Sequence, residues 1–213
     1  MTVNRRPTGK HHGDLRNALE QAALALVAER GPHGFTLAEA CRRAGVSVSA
    51  PYKHFADRDA LLASLALKGY EEQQRRYRAA TATSTDPAEQ LAAYAAAYVR
   101  FAAQERALFD ITFLAGLDKG RHEELARAGA ALHDQLLPVA RAVVPDREAA
   151  LDLLIRISAA AHGLSLFLQQ NMLPRGRDTL AAVEDQAART AYALIDQQTQ
   201  TSGRRRAGPG RQR

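Results

Sequence analysis

Helix-forming residues dominate this chain from end to end, and no other feature limits its possible folds so strongly. Almost no segment alternates polar and apolar residues with a period of two, which is the pattern of a half-buried strand. Ala, Leu, Arg, Glu and Gln, which all favour helices, recur throughout. No repeat with a period of 20–50 residues is visible. The sequence therefore predicts an all-α fold of about nine helices.

The bulk composition indicates a folded protein. Of the 213 residues, 46% are hydrophobic and 24% are charged, which allows one domain or two small ones. The single cysteine, Cys41, excludes an internal disulfide framework and a Cys-rich zinc site, and it suits a reducing cytoplasm. No apolar run follows the basic start of the chain, so we expect no secretion signal. The longest uncharged run, residues 157–174, contains His162 and three amide side chains, which favours a buried helix over a membrane span.

Positive charge is concentrated at the two ends of the chain. Residues 1–60 hold nine Lys/Arg and six Asp/Glu, and residues 204–213 hold five Arg and no acidic residue. Since the net charge is +6, the middle carries −2. Basic ends predict a polyanionic partner, although a basic tail can also serve solubility alone. We expect residues 1–13 to form a flexible basic arm and residues 201–213 a disordered Arg-rich tail.

Two helices with clear end signals are predicted near the start of the chain. The first begins at an N-cap, Asp14, and ends at residue 30, where a Gly-Pro pair stops it. Thr36 and Glu39 have the spacing of a capping box, in which each side chain bonds the other residue's backbone amide. This pair predicts a short helix over residues 36–43.

A tight turn and a second short helix follow. Residues 44–46 form the turn, and Ser47 is a suitable N-cap for a helix of about two turns. Two short helices joined in this way are a helix-turn-helix, whose second helix enters the DNA major groove. Asp57 is expected to cap a longer helix over residues 58–80, and residues 14–60 are the predicted DNA-binding domain.

The segment GVSVSAPYKHF, residues 45–55, would leave one face free for DNA. We expect Val46, Val48 and Phe55 to anchor it to the other helices. The side chains left for DNA are small at its start and aromatic or basic at its end: Ser47, Ser49, Ala50, Tyr52, Lys53 and His54. Serines can bond base edges, whereas Tyr, Lys and His suit phosphates. A plain loop is the alternative, since Pro51 removes a hydrogen-bond donor and disfavours helical angles at the residue before it.

Residues 34–66, GFTLAEACRRAGVSVSAPYKHFADRDALLASLA, resemble the N-terminal domain of the tetracycline-repressor (TetR) family of transcriptional regulators. Residues 11–31 are similar to the family's first helix and its approach. The resemblance rests on the following positions: Thr36, Ala40, Ala44, Gly45, Val46, Tyr52, Phe55, Asp57, Arg58, Leu61 and Leu62.

This resemblance implies roles for individual residues. Thr36 is similar to the family's phosphate-contacting helix cap, and the residues of the segment 47–54 named above resemble its recognition helix. Arg58 stands where the family usually has a phosphate-binding lysine, which keeps the charge but changes its geometry. Pro51 replaces a commoner leucine, so the start of the recognition helix departs from the family pattern.

A DNA reader needs only about 60 residues, so the rest of the chain has other tasks. Beyond the Thr/Ser/Pro linker at residues 81–87 we expect five helices, over residues 87–103, 105–115, 121–142, 147–171 and 178–197. The last two have enough apolar length to form a four-helix bundle with a symmetric mate. TetR-like proteins dimerise in this way, and the resemblance implies a homodimer here.

Residues 61–200 are the predicted effector-binding and dimerisation domain. Aromatic and polar side chains at helical spacing suggest a cavity for a small amphipathic molecule. The candidate lining residues are Tyr94, Tyr98, Phe101, Phe109, Phe113, Ser158, His162, Ser165 and Gln169. An ordinary helical core, with His162 hydrogen-bonded inside it, is the alternative. The stretch AAHGLSLF, residues 160–167, resembles the TetR subgroup named for a Trp-His-Gly motif, with Ala161 in place of Trp.

Catalytic and metal sites are not predicted. The histidines are scattered without a carboxylate or cysteine set at ligand spacing, and no phosphate-cradling glycine loop or nucleophile elbow is present. We expect no cofactor. The resemblance implies a cytoplasmic repressor that binds a palindromic operator as a homodimer and is released by a small-molecule effector. The alternatives are a helical ligand-binding protein or enzyme with incidental basic termini, and a non-specific architectural DNA binder.

Overall fold

The computed structural model describes residues 11–49 and 51–206 of the chain, and this part is all-α as predicted. It contains eight α-helices and one turn of 3-10 helix at Pro51–Lys53. The α-helices are α1 (His11–Arg30), α2 (Leu37–Ala44), α3 (Arg58–Thr81), α4 (Pro87–Gln104), α5 (Arg106–Leu114), α6 (Glu123–Val143), α7 (Arg147–Gln169) and α8 (Leu180–Arg206). The 3-10 turn replaces the helix expected from Ser47, which accounts for the difference from nine.

The chain divides into two compact units. The first contains the residues up to Gly69 together with Arg106–Leu125, and the second contains Tyr70–Glu105 together with the residues from Ala126 onward. Helices α3 and α6 each begin in the first unit and end in the second. The functional boundary expected between residues 60 and 61 stays a prediction.

Helices α1 and α2 of the first unit end where local chemistry requires it. Gly31, at φ +76, accepts the left-handed conformation that stops α1. The capping box at the start of α2 is confirmed: the amide of Thr36 donates to Glu39 Oε2 at 2.8 Å, and the amide of Glu39 donates to Thr36 Oγ1 at 3.2 Å. Gly45, at φ 69, ends α2 in the left-handed conformation.

Two predicted helix ends are wrong. Helix α1 begins at His11 rather than after Asp14, so Asp14 lies inside the helix. Helix α8 continues to Arg206, although residues from 201 onward were expected to be disordered. A helix can extend past its last buried side chain, here Ile195, because each added residue completes one more backbone hydrogen bond. The arm before residue 11 and the tail beyond residue 206 lie outside the described residues.

The second unit is built on helices α4, α7 and α8, which pack against one another. Asp86 caps α4 by accepting the amide of Ala88 at 2.8 Å, and Asp146 caps α7 by accepting that of Ala149 at 2.9 Å. Apolar side chains at helical spacing form the core between them: Leu91, Val99, Phe101, Leu153, Leu154, Ile157, Val183, Ala187, Ala191 and Ile195.

A close approach within the first unit explains one glycine of α3 and leads to a prediction. A Cβ added at Gly69 would lie 2.4 Å from Thr112 Oγ1, an atom that itself donates to the carbonyl of Leu108. Gly69→Ala is therefore expected to lower the free energy of unfolding by about 1–3 kcal/mol through overpacking. Adding Thr112→Ala should recover part of that loss in urea denaturation. Equal stability of Gly69→Ala and the wild type would contradict the prediction.

Candidate DNA-binding surface and effector-binding helices

The segment between α2 and α3 does not contain the two-turn helix expected from Ser47. Residues 47–49 form an irregular turn, and a single 3-10 turn follows over Pro51–Lys53. The amides of His54 and Phe55 both donate to the carbonyl of Pro51, at 2.7 and 2.8 Å. Pro51 explains the difference, because it has no N–H to donate into a preceding turn and disfavours helical angles at the residue before it.

The anchors of this segment are partly different from those predicted. Phe55 is buried as expected, but Val48 is 53% exposed, so its prediction as an anchor is wrong. Pro51 is buried in its place, and Val46 is half-buried. A proline at the start of a short turn presents a compact apolar ring, which the sequence analysis treated only as a helix breaker.

Most of the predicted DNA contacts lie together on the surface of this segment. Tyr52 is 63% exposed, and Lys53, Ser47 and Ser49 are also exposed. His54 is half-buried beside the ring of Phe55. Thr36 is exposed at the N-terminus of α2, and Ala50 lies outside the described residues. The segment thus presents two hydroxyl groups, a phenol and an ammonium group to solvent.

Arg58 has partners within the first unit. Its guanidinium donates to Asp59 Oδ1 at 3.1 Å and to the carbonyl of Pro32, and it lies 5.0 Å from the ring centroid of Phe35. These contacts tie the turn after α1 to the start of α3. A phosphate contact by Arg58 would have to replace or share them.

A buried ionic network joins α1 to α3, and the sequence analysis missed it. Glu20 is 1% exposed and accepts hydrogen bonds from Arg16 Nε at 3.2 Å, Ser64 Oγ at 2.7 Å and Lys68 Nζ. Burial alone would raise the pKa of Glu20, but these three donors outweigh it and the pKa lies below its usual value. The available signal was a single acidic residue within an apolar helical stripe.

The polar stripe predicted on α7 faces the aromatic stripe of α4. The phenol of Tyr94 lies 2.7 Å from Ser158 Oγ, and that of Tyr98 lies 2.9 Å from His162 Nδ1. Gln169 Nε2 donates to the carbonyl of Ala102 at 3.0 Å. The structure therefore brings these five predicted residues of α4 and α7 together along one helix–helix contact.

Tyr77 of α3 completes this aromatic cluster, although the sequence analysis did not select it. Its ring packs edge-on against Tyr94 at a centroid distance of 4.8 Å and stacks near Tyr98 at 6.0 Å. The hydroxyl of Tyr77 donates to Gln73 Oε1 at 3.1 Å. Burial raises the pKa of Tyr94 to about 12 and raises those of Tyr77 and Tyr98 as well. The three phenols are therefore neutral, and each keeps a proton that it can donate.

The remaining predicted effector residues are placed elsewhere. Phe101 is fully buried on α4, and Ser165 is buried on α7, where its hydroxyl donates to the carbonyl of Ala161 at 2.8 Å. Phe109 and Phe113 belong to the first unit, with their rings 5.0 Å apart. Phe109 is fully buried, as in an ordinary helical core, whereas Phe113 is partly exposed.

The burial of His162 predicts a dependence of stability on pH. Burial lowers the pKa of His162 below its ordinary value of 6.5. Below about pH 6.5 the unfolded chain binds this proton more readily than the folded one, so the wild type should lose stability as the pH falls. In urea denaturation between pH 8 and pH 5, the stability advantage of the wild type over His162→Gln should shrink. Parallel stability curves for the two proteins would rule this out, because every other titrating group is shared.

Metal ligands do not converge in the part of the chain that the structure describes: no group of three or more His, Cys, Asp or Glu is arranged to hold an ion. Cys41 is buried in α2, and burial raises the pKa of its thiol. A buried protonated thiol is a poor nucleophile.

Comparisons with protein families identify both halves of the chain. Residues 20–65 match the bacterial regulatory proteins of the tetR family, and residues 91–190 match the tetracyclin repressor-like C-terminal domain. The two matched regions together span more than half of the chain. The architecture is that of a transcriptional regulator with an N-terminal helix-turn-helix. The chain belongs to the TetR family, whose members are DNA-binding regulators and not enzymes.

Solved structures with the same fold cover nearly the whole chain. A protein of unknown function from Rhodococcus sp. RHA1 is 28% identical, with a TM-score of 0.69 over 88% of this chain and 98% of that one. A tetR-family regulatory protein from Rhodococcus RHA1 is 18% identical, with a TM-score of 0.67 over 85% and 96%. The regulator FadR from Bacillus subtilis, solved with stearoyl-CoA, is 16% identical, with a TM-score of 0.63 over 84% and 98%. No curated protein matches the chain.

Proposed function

We propose that this protein is a cytoplasmic repressor that binds a palindromic operator as a homodimer and is released by a small-molecule effector. The exposed segment at residues 47–54 carries this proposal. It presents serines for base edges and Tyr52 and Lys53 for phosphates, while Pro51 and Phe55 hold it from beneath.

An uncovered apolar face of α7 supports the proposed homodimer. Helix α7 is long and apolar enough to cross a membrane by length and composition, with a mean hydropathy of 1.5, yet only 28% of its most apolar window is buried. Its uncovered face carries Ile155, which is 57% exposed, and Phe167, which is 46% exposed. Tyr192 of α8 is also exposed. A symmetric mate that packs its own α7 and α8 on these side chains would cover them as a four-helix bundle.

One glycine of α7 suits such packing. A Cβ added at Gly163 would meet no atom within 4 Å, so this position has space beside it within the protomer. A small residue on an exposed apolar helix face allows a partner helix to approach closely.

The assignment of the C-terminal half of the chain to the Trp-His-Gly subgroup, which rests on His162 and Gly163, also stays a prediction.

The contact between α4 and α7 is the proposed effector-binding region. Aromatic rings with a few hydrogen-bonding groups, here Tyr94, Tyr98, Ser158 and His162, suit a small amphipathic molecule. The related fold of Bacillus subtilis FadR binds stearoyl-CoA, which illustrates an amphipathic ligand on this scaffold. The effector would exchange the phenol–imidazole and phenol–hydroxyl bonds for bonds to itself.

Release would follow from a population shift. The effector would favour a dimer whose two DNA-binding units are wrongly spaced for successive major grooves, which lie roughly 34–36 Å apart. Near-complete release requires that the effector prefer this state by about 5 kcal/mol.

Selection from a random-sequence DNA library tests the proposal and identifies the operator in the same experiment. The full-length protein should enrich an inverted repeat whose half-sites are one helical turn apart or a multiple of that distance. Footprinting on the enriched duplex should show protection of both half-sites. Enrichment of no sequence, or of a sequence without two-fold symmetry, would contradict the proposed function.

A further inference from the structure

Arg16 of α1 links the DNA-facing segment to the interior of the first unit. Its guanidinium carbon lies 5.3 Å from the ring centroid of Phe55, the residue that follows the segment at residues 47–54. On its other side it donates to Glu20 Oε1 at 3.2 Å through Nε and to Ser64 Oγ at 2.7 Å. The guanidinium therefore has one aromatic and two hydrogen-bonding partners, which lie on different elements.

The partners of Arg16 hold it in one orientation. Glu20 is buried and also accepts from Ser64 Oγ and Lys68 Nζ, so its carboxylate is held by three donors. A buried carboxylate with this many partners is costly to move, because any displacement leaves charge unpaired. Because the planar guanidinium is bonded at two nitrogens to Glu20 and Ser64, its orientation is restricted as well.

Phe55 is buried, at 3% exposure, beside a groove that opens to solvent. The groove, of about 180 Å³, is lined in part by Arg16, His54, Ser64 and His122. Close packing normally fixes the position of a buried ring. On the side of the groove, the guanidinium of Arg16 lies against the ring and limits its movement.

A shift of Phe55 would reach the residues that face solvent. The amides of Phe55 and His54 both donate to the carbonyl of Pro51, so the first residue of the 3-10 turn is bonded to the two residues that follow the turn. Ser47 and Ser49 lie shortly before that turn, and a base contact by a short hydroxyl side chain has strict geometry, so their contacts with a duplex depend on where Phe55 is held. The long, flexible side chain of Lys53 can keep a phosphate contact when its backbone shifts.

We propose that Arg16 is a positioning residue for sequence-specific DNA binding, acting through Phe55 and not through a contact of its own with DNA. This inference rests on the proposed role of the segment at residues 47–54. It assigns a function to a residue that lies before the matched tetR region, which begins at residue 20.

Two other roles for Arg16 predict different results. Its side chain is 51% exposed, so it could instead contact a phosphate directly. In that case its removal would weaken binding to every DNA sequence. It would also lower the slope of log affinity against log salt by about 0.9 for each lost contact. If Arg16 only stabilised the fold, its removal would lower the unfolding temperature without changing the affinity of the folded protein.

The test compares full-length variants on two duplexes of equal length, one enriched from the random library and one with the same bases shuffled. Arg16→Ala should weaken binding to the enriched duplex by about two- to fivefold, the loss expected when a half-exposed cation–π contact is removed. Binding to the shuffled duplex and the salt dependence should stay unchanged. Arg16→Lys should recover part of the loss, because lysine restores the charge without the fork that bridges Glu20 and Ser64.

A double-mutant cycle with Phe55→Leu separates positioning from general damage. In the Phe55→Leu background, Arg16→Ala should cause little further loss of specific affinity, since the ring through which it acts is absent. Arg75→Ala removes a comparably exposed, ion-paired arginine of α3 and serves as the matched control, with unchanged binding expected. Circular dichroism checks that each variant is folded.

Equal losses on both duplexes with a lower salt dependence, or unchanged affinity with lower stability, would overturn the inference. Additive losses in the cycle would overturn it too. Failure of the wild type to enrich any sequence would instead refute the proposed function itself, so the two failures are distinguishable.

Discussion

Lys53→Ala is expected to weaken binding to specific and shuffled duplexes alike and to reduce the salt dependence of both. Lys53 is exposed in the 3-10 turn, where its ammonium group can reach a backbone phosphate. Each neutralised phosphate releases counterions and contributes about 0.9 to the slope of log affinity against log salt. Since a homodimer has two copies of Lys53, the slope should fall by about 1.8, and the affinity at moderate salt should fall by about tenfold or more.

Titrations of both duplexes at several salt concentrations measure this prediction. Lys119→Ala is the matched control, because it removes the same charge from an exposed position of the same unit outside the segment. If Lys53→Ala leaves the slope unchanged, Lys53 does not contact phosphate. A loss confined to the specific duplex would mean that Lys53 reads bases, and the assignment of roles within the segment would have to be reversed.

Local hydrogen bonding explains why so much of the fold was predictable. The capping box of Thr36 and Glu39 and the cap at Asp57 involve residues at most three positions apart, so their spacing is visible in the sequence. The same holds for the left-handed Gly45. From such signals the bounds of α2, α3 and the turn that precedes residues 47–54 could be predicted within one or two residues.

The conformation of the segment at residues 47–54 depends on competition between local and tertiary effects. Pro51 opposes a helix locally, yet its ring is buried and holds the segment in place. Whether Pro51 or Val48 would fill the space beneath the segment depends on the shape of the surrounding helices, which periodicity does not describe. The guanidinium of Arg58 likewise found partners 26 positions away in sequence, at Pro32.

The helices proposed to bind the effector illustrate a similar limit. Spacing alone placed Ser158 and His162 on one face of α7 and Tyr94 and Tyr98 on one face of α4, and those faces meet. It could not show that Tyr77 from α3 would join them, because that requires knowing how three helices cross. It also grouped Phe109 with this set, although Phe109 lies in the other unit.

The largest effect is expected from a charge placed on the uncovered face of α7. If the proposed homodimer uses this face, Ile155→Arg should convert it to a monomer, because burying an unpaired guanidinium in an apolar interface is strongly unfavourable. Ile155 is already exposed within the protomer, so the fold of each chain should be retained. Sedimentation should show a change in mass from two 23.1 kDa chains to one.

Loss of the proposed dimer should strongly weaken operator binding even though the residues proposed to contact DNA are untouched. When two half-sites are bound by linked units, the second contact is effectively intramolecular, which raises affinity by about 100-fold to 10,000-fold. The monomer should therefore bind the enriched inverted repeat at least about 100-fold more weakly. Its affinity should approach that for a single half-site.

The control for this variant is Ala130→Arg, which adds the same charge at an exposed position on α6 of the same unit. It should remain dimeric and bind DNA as the wild type does. If Ile155→Arg stays dimeric, the homodimer does not use this face of α7, and the partly uncovered apolar helix requires another explanation. If the variant is monomeric yet binds the inverted repeat as tightly as the wild type, recognition does not depend on paired half-sites, and the proposed mode of operator binding is wrong.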